Sequence, residues 1–142
     1  MIEHIPYEKA NNMLTECFRV LKINGKIRIS TPDLNFLIGL YKKEKTSVQK
    51  EYIEWATKCF FKEAPYHDDT FVINNFVRDW GHVFIYDEKT LRHSMENAGF
   101  SNIERFELNV SNTSHLQNLE NEKRMPEGFL ALESFTLEGT KK

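Results

Sequence analysis

Apolar positions along the first fifth of the chain recur at helical spacing and then change to alternation. Ala10, Met13, Leu14, Cys17, Phe18 and Leu21 form one continuous stripe, with Glu8, Lys9, Asn12, Glu16 and Arg19 opposite. Pro6 stands where a helix opens and its missing N–H costs nothing. The pattern predicts a helix over 7–22, a turn at Asn24-Gly25, and a strand over 26–30 with Ile27 and Ile29 on one side and Arg28 on the other. Thr31-Pro32 is expected to end the pairing, because proline cannot donate.

Leu34, Leu37, Ile38 and Tyr41 make a second helical stripe, with Asp33 as its cap. Thr46 followed by Gln49 fits a capping box, and Val48, Tyr52, Trp55 and Cys59 continue as another helix. Residues 62–70 read as loop, and 71–77 as a short helix or an irregular aromatic segment. Asp87 caps a helix whose inner face is Leu91, Met95 and Ala98 and whose stop is Gly99. A strand is expected over 100–110, a long polar loop holding one helical turn over 111–127, and a closing strand over 129–138. The order is α-β, a helical insertion over about 33–78, then α-β-β. This is an α/β domain of about three strands, the last two an antiparallel pair.

Composition narrows the function classes. With 142 residues, 40% apolar and 28% charged, the chain is sized for one globular domain, 1–142. A formal charge of −2 offers no electrostatic footprint for nucleic acid. No apolar run reaches the ~18 residues of a membrane span. No secretory signal is visible at the N-terminus, so the expected location is cytoplasmic. Cys17 and Cys59 lie in separate helical patterns without CxxC spacing and read as buried free thiols. His67-Asp68-Asp69 reads as a solvated loop, since three adjacent side chains cannot converge on one ion without partners. No metal site is expected.

Three stretches carry a family likeness. Residues 3–34, EHIPYEKANNMLTECFRVLKINGKIRISTPDL, resemble the segment after the fourth strand of class I S-adenosylmethionine-dependent methyltransferases, where a helix, an RVLKPGG turn and a strand follow an EH pair. Asp79-Trp80-Gly81-His82, continued by DEKTLRHSMENAGFSNIERFEL, resembles the later His-bearing segment, helix and sixth strand. SFTLEGTKK resembles the final antiparallel strand. The chain is similar to methyltransferase type 11, in the branch found in sugar and cell-surface biosynthesis. The resemblance implies a partial Rossmann-like methyltransferase sheet.

The likeness also has a gap. That family holds S-adenosylmethionine with a glycine-rich turn after its first strand and an acidic residue after its second. The six glycines here, at 25, 39, 81, 99, 128 and 139, form no such turn. The expectation is a C-terminal, acceptor-binding half, truncated or split, inactive alone and not binding the cofactor by itself.

By resemblance, Glu3 and His4 face the edge of the cofactor cleft, and a histidine there can serve as a general base. A frayed, idle terminus is the alternative. His82 stands by the same resemblance at the mouth of the cleft, with Asp79 placed to orient it, or else it is a structural histidine bonded to a loop carbonyl. Asp79, Trp80 and Tyr86 are the candidate acceptor contacts. The aromatic run Phe60, Phe61, Tyr66, Phe71, Phe76, Trp80, Phe84 and Tyr86 reads as a lid over the acceptor or as the core of the inserted helices. A rival reading makes the chain a non-catalytic module. Strand 26–30 then has an open edge and helix 7–22 an uncovered face, and both favour a homo-oligomer, with a separate N-terminal half as another partner.

Overall fold

The computed structural model describes all residues, Met1–Lys142. A short 3-10 turn, Ile2–His4, leads into helix α1, Tyr7–Val20, and strand β1, Lys26–Pro32. Helices α2 (Leu34–Leu40), α3 (Ser47–Phe60), α4 (Asp69–Arg78) and α5 (Glu88–Asn97) precede strand β2, Ser101–Phe106. Two 3-10 turns, Ser114–Leu116 and Glu122–Arg124, interrupt the loop before helix α6, Phe129–Glu133, and strand β3, Ser134–Thr140. The sheet order is β1-β3-β2, and both pairings are antiparallel.

Local chemistry sets most of these boundaries. Asp33, Asp68 and Asp87 each accept a backbone N–H at the start of a helix. At α3 both halves of the capping box are made, Gln49 N–H to Thr46 Oγ1 at 3.3 Å and Thr46 N–H to Gln49 Oε1 at 2.9 Å. Asn24 supplies the turn before β1 with a φ of 65°. Gly99 closes α5 at a φ of 105°, and a Cβ there would stand 2.9 Å from the Phe18 ring. That position ties the end of α5 to α1.

Several expectations change. Pairing does not stop at Ser30: Thr31 and Pro32 pair with Phe135 and Ser134. Asp33 N–H reaches Glu133 O at 2.8 Å. Odd residues of β1 therefore face β3, and the N–H that Pro32 lacks would point to the open edge. The closing strand begins at Ser134 rather than 129, because Phe129–Glu133 is helical. β2 ends at Phe106, leaving Leu108 and Val110 in the loop. Helix α4 starts at Asp69, so that residue is not loop, and its carboxylate pairs with Lys45 at 2.6 Å. On α2 the buried residues are Phe36, Leu37 and Leu40, while Ile38 and Tyr41 stand 58% and 72% exposed. Cys17 is half-buried and Cys59 exposed, both as free thiols.

The core divides in two. Ala10 and Leu14 of α1, Leu91 and Met95 of α5, Phe100, and Phe135 and Leu137 of β3 pack on one face of the sheet. Phe36, Leu40, Tyr52, Ile53, Ala56, Val72, Phe76 and Phe129 join the helices of the 34–78 segment to α6. The remaining face of the sheet is polar. Arg28, paired across the strands with Glu138, is 2% exposed and uses all its donors. Nε and one terminal nitrogen grip Glu120 at 2.9 and 3.0 Å. The rest reach Glu138 Oε1 at 2.7 Å, Val110 O at 2.8 Å and Glu107 O at 3.1 Å. One guanidinium thus fastens the loop of residues 107–120 onto the sheet.

Candidate functional site

A cavity of about 440 Å³ opens beyond the carboxyl end of β1. Open α/β sheets carry their ligand clefts at this end of a strand. Ser30, Thr31 and Pro32 form its floor, with Glu3, His4 and His82 on one side. Trp55, Phe60, Phe76, Trp80 and Met125 give it an aromatic and thioether wall, and Asn121, Arg124 and Glu133 a polar one. It lies where the sheet, the 34–78 helices and the 107–124 loop meet.

His4 and His82 meet here with ring centroids 5.1 Å apart. The turn between α4 and α5 makes this possible. Trp80 and Gly81 both hold positive φ, 59° and 71°, a conformation unusual for a bulky residue such as tryptophan. Strain of that kind costs about 1–3 kcal/mol and gathers at sites whose geometry is over-determined. It aims the Gly81 carbonyl at His4 Nδ1, 3.1 Å away. His82 Nδ1 in turn lies 2.7 Å from the Phe76 carbonyl. A carbonyl can only accept, so each Nδ1 carries a proton, and in the neutral ring the lone pair is on Nε2.

Glu3 is buried beside them. Its Oε1 is 3.4 Å from His4 Nε2, and its Oε2 accepts from the Thr31 hydroxyl at 3.1 Å and the Met1 ammonium at 2.8 Å. Burial pushes this carboxyl up, but the ammonium, its own backbone and Thr31 outweigh that and hold it below the usual carboxylate range. His82 is moved down, chiefly by burial, against the pull of the Phe76 carbonyl and the Glu3 charge. It is neutral at physiological pH. Across the cavity Tyr52 donates its hydroxyl proton to Glu133, and Arg124 approaches the same carboxylate at 3.3 Å. Burial raises Glu133 above the ordinary range despite both partners.

The fold also places the other candidates. Trp80 lines the cavity, packed 5.0 Å from Phe60 and 5.1 Å from Phe76 between ring centroids. Asp79 is exposed outside the lining, and the Phe76 carbonyl rather than its carboxylate orients His82. Tyr86 is fully buried with Tyr7 and Phe84, outside the cavity, and burial pushes its phenol up to about 12. It is a core residue. The aromatic run splits accordingly. Phe60, Phe76 and Trp80 line the cavity, Phe61, Tyr66 and Phe71 cluster apart, and Phe84 and Tyr86 join the sheet core.

No family model matches the sequence, and no curated protein matches it. Among solved structures, the chain is similar to the crystal structure of a SAM dependent methyltransferase from Archaeoglobus fulgidus, at 14% identity and a TM-score of 0.50. The fold is methyltransferase-like. The match covers 99% of this chain and 56% of that one, so the chain spans little more than half the length of its structural neighbour.

Within this methyltransferase-like fold, part of the cavity carried no signal in the sequence. Trp55 sits in an ordinary helical stripe, and Arg124 and Glu133 lie in stretches read as loop and strand. Thr31 read as a strand end, yet its hydroxyl positions Glu3.

Proposed function

We propose that this chain is the acceptor-binding, C-terminal half of a class I S-adenosylmethionine-dependent methyltransferase, inactive without a segment that supplies the donor site. The observation that carries the reading is the cavity beyond β1, where a proton acceptor, its carboxylate neighbour and an aromatic wall converge in a methyltransferase-like fold. Alignment and deprotonation of the acceptor are the tasks such a half performs. His4 takes the acceptor's proton at Nε2, and the Glu3 carboxylate steadies the imidazolium. Trp80, Phe60 and Trp55 offer ring faces to a small hydroxylated acceptor of the sugar class, and Arg124 and Asn121 offer donors to its oxygens.

We propose that this chain alone does not bind S-adenosylmethionine. A cradle for it needs glycines whose missing side chains leave room for the ligand. Three of the six glycines are packed shut, Gly25 against Lys22 O, Gly99 against Phe18 and Gly139 against Met95 and Phe100, and the open ones, Gly39, Gly81 and Gly128, stand too far apart along the chain to form one glycine-rich turn. We therefore assign no step of this chain to the cofactor itself. Calorimetric titration with S-adenosylmethionine or its demethylated product tests the reading. Heats no larger than dilution are expected, and micromolar binding by the chain alone overturns it.

A second reading, a self-associating module derived from such an enzyme, is favoured by the edge position of β1. Its even-numbered backbone groups face away from β3 and are open to a second copy. Helix α1 does not add to that surface, contrary to the expectation of an uncovered face: Tyr7, Met13, Cys17, Phe18 and Leu21 pack with Ala10 and Leu14 against the sheet core. Light scattering is expected to give a dimer or larger, and a monomer with a cooperative melt refutes the association. The free thiols, and the absence of any helix long and apolar enough to cross a membrane, fit the cytoplasmic location we propose.

A further inference from the structure

We infer that Glu3, His4 and His82 form a binding site for a divalent transition-metal ion of the zinc class. Their donor atoms lie within 4.8 Å of one another. Two ligands of a tetrahedral ion, each about 2.1 Å from it, stand roughly 3.4 Å apart. His4 Nε2 and Glu3 Oε1 have that separation, 3.4 Å. They are neighbours in sequence, and the third ligand arrives from the far side of the helical segment.

The surroundings orient all three toward a common ion. A metal-bound histidine ordinarily gives its other ring N–H to a carbonyl or carboxylate, which fixes its tautomer. Both histidines do so with backbone carbonyls, His4 with Gly81 and His82 with Phe76, which places the lone pair of each neutral ring on Nε2. The strained Trp80-Gly81 turn holds one of those carbonyls in place. The Thr31 hydroxyl occupies Glu3 Oε2 and turns Oε1 toward His4. Two imidazoles and one carboxylate suit zinc, cobalt or iron rather than calcium or magnesium. Three protein ligands leave a position open to the cavity, where a water or hydroxyl oxygen completes the shell.

The site does not depend on methyl transfer. When it is filled, His4 Nε2 is committed to the ion and is no longer a base. An ion-bound hydroxyl then loses its proton more readily for that reason alone.

Titration of the purified chain with Zn²⁺ by calorimetry, and with Co²⁺ by its visible ligand-field absorption, tests the inference. One ion per chain at micromolar affinity is expected. His4→Gln and His82→Gln should each weaken binding by about tenfold or more, and Thr31→Val by about tenfold through Glu3. His67→Gln and His115→Gln should leave it unchanged. On the unmodified chain, Zn²⁺ should shift the imidazole NMR signals of His4 and His82 and leave those of His67 and His115 in place. That measurement stands even where a variant fails to fold. No saturable binding, a loss in only one of the two histidine variants, or unmoved His4 and His82 signals overturns the site.

Discussion

The two faces of β3 are built on opposite principles. Phe135 and Leu137 point into an apolar core with Leu14, Leu91 and Met95. Ser134, Thr136 and Glu138, alternating with them, are equally buried but lie under Pro32, Ser30 and Arg28 of β1. One face is held by non-directional burial, which tolerates small misfits. The other is held by a guanidinium with every donor engaged, where one missing partner strands a charge. The cavity opens off the end of the polar face, with Ser30, Pro32, Ser134 and Glu120 in its lining. Both faces carry stability of the sheet. The polar face also positions the walls of a site.

The sharpest way to break this contrast is to remove one anchor from each face. Arg28→Ala leaves Glu120 and Glu138 buried without their cation and frees the loop that carries the polar wall of the cavity. A loss of about 3–5 kcal/mol is expected. Leu137→Ala, fully buried, should cost about 2–5 kcal/mol through the cavity it leaves. Urea unfolding measures both. Arg28→Ala should also expose the 107–120 segment to limited proteolysis, which Leu137→Ala should not. Equal protease sensitivity of the two variants would show that the loop does not hang on Arg28.

A smaller effect separates the two carboxylates of the cavity. The folded chain holds the Glu133 proton where the unfolded chain has lost it. That contribution is complete below the unfolded value, about 4.3, and is lost as pH rises through the folded one. Glu3 has the opposite sign, because its folded value is depressed. Its contribution is present above the unfolded value and is lost as pH falls through the folded one. Glu133→Gln should therefore flatten the decline in stability on the neutral side of about 4.3 and leave the acid-side loss intact. Urea midpoints across a pH series measure this, and an unchanged slope in the variant means that Glu133 titrates as an exposed group.

The difference between the faces also explains what could be read before the structure. Helix starts at Asp33, Thr46 and Asp87 were legible because a cap and its partner lie within three residues. The α1 stripe and the Phe135/Leu137 alternation were legible because burial imposes a period. The helix at Phe129–Glu133 read as strand because five residues are too few to show which period they follow. Arg28 gave no sign of burial, since its partners Glu120 and Glu138 stand 92 and 110 positions away. His4 and His82 were each singled out on family resemblance. Their convergence rests on a left-handed turn at Trp80, a position where tryptophan gives no warning of positive φ.

The finest test of the contrast lies within the polar face. Thr136 faces Ser30 across the pair, and its Oγ1 is buried without a hydrogen-bond partner. An unpartnered buried hydroxyl carries its desolvation cost with nothing to offset it. If the polar face were a network throughout, Thr136→Val would destabilise the chain. If the network is confined to Arg28 and its carboxylates, valine replaces the hydroxyl with a methyl of similar size and β propensity. The expected outcome is a gain of up to about 1 kcal/mol in urea unfolding. A loss of that size would mean that Thr136 has a polar partner in solution, and that the polar face reaches from Glu138 unbroken to the cavity.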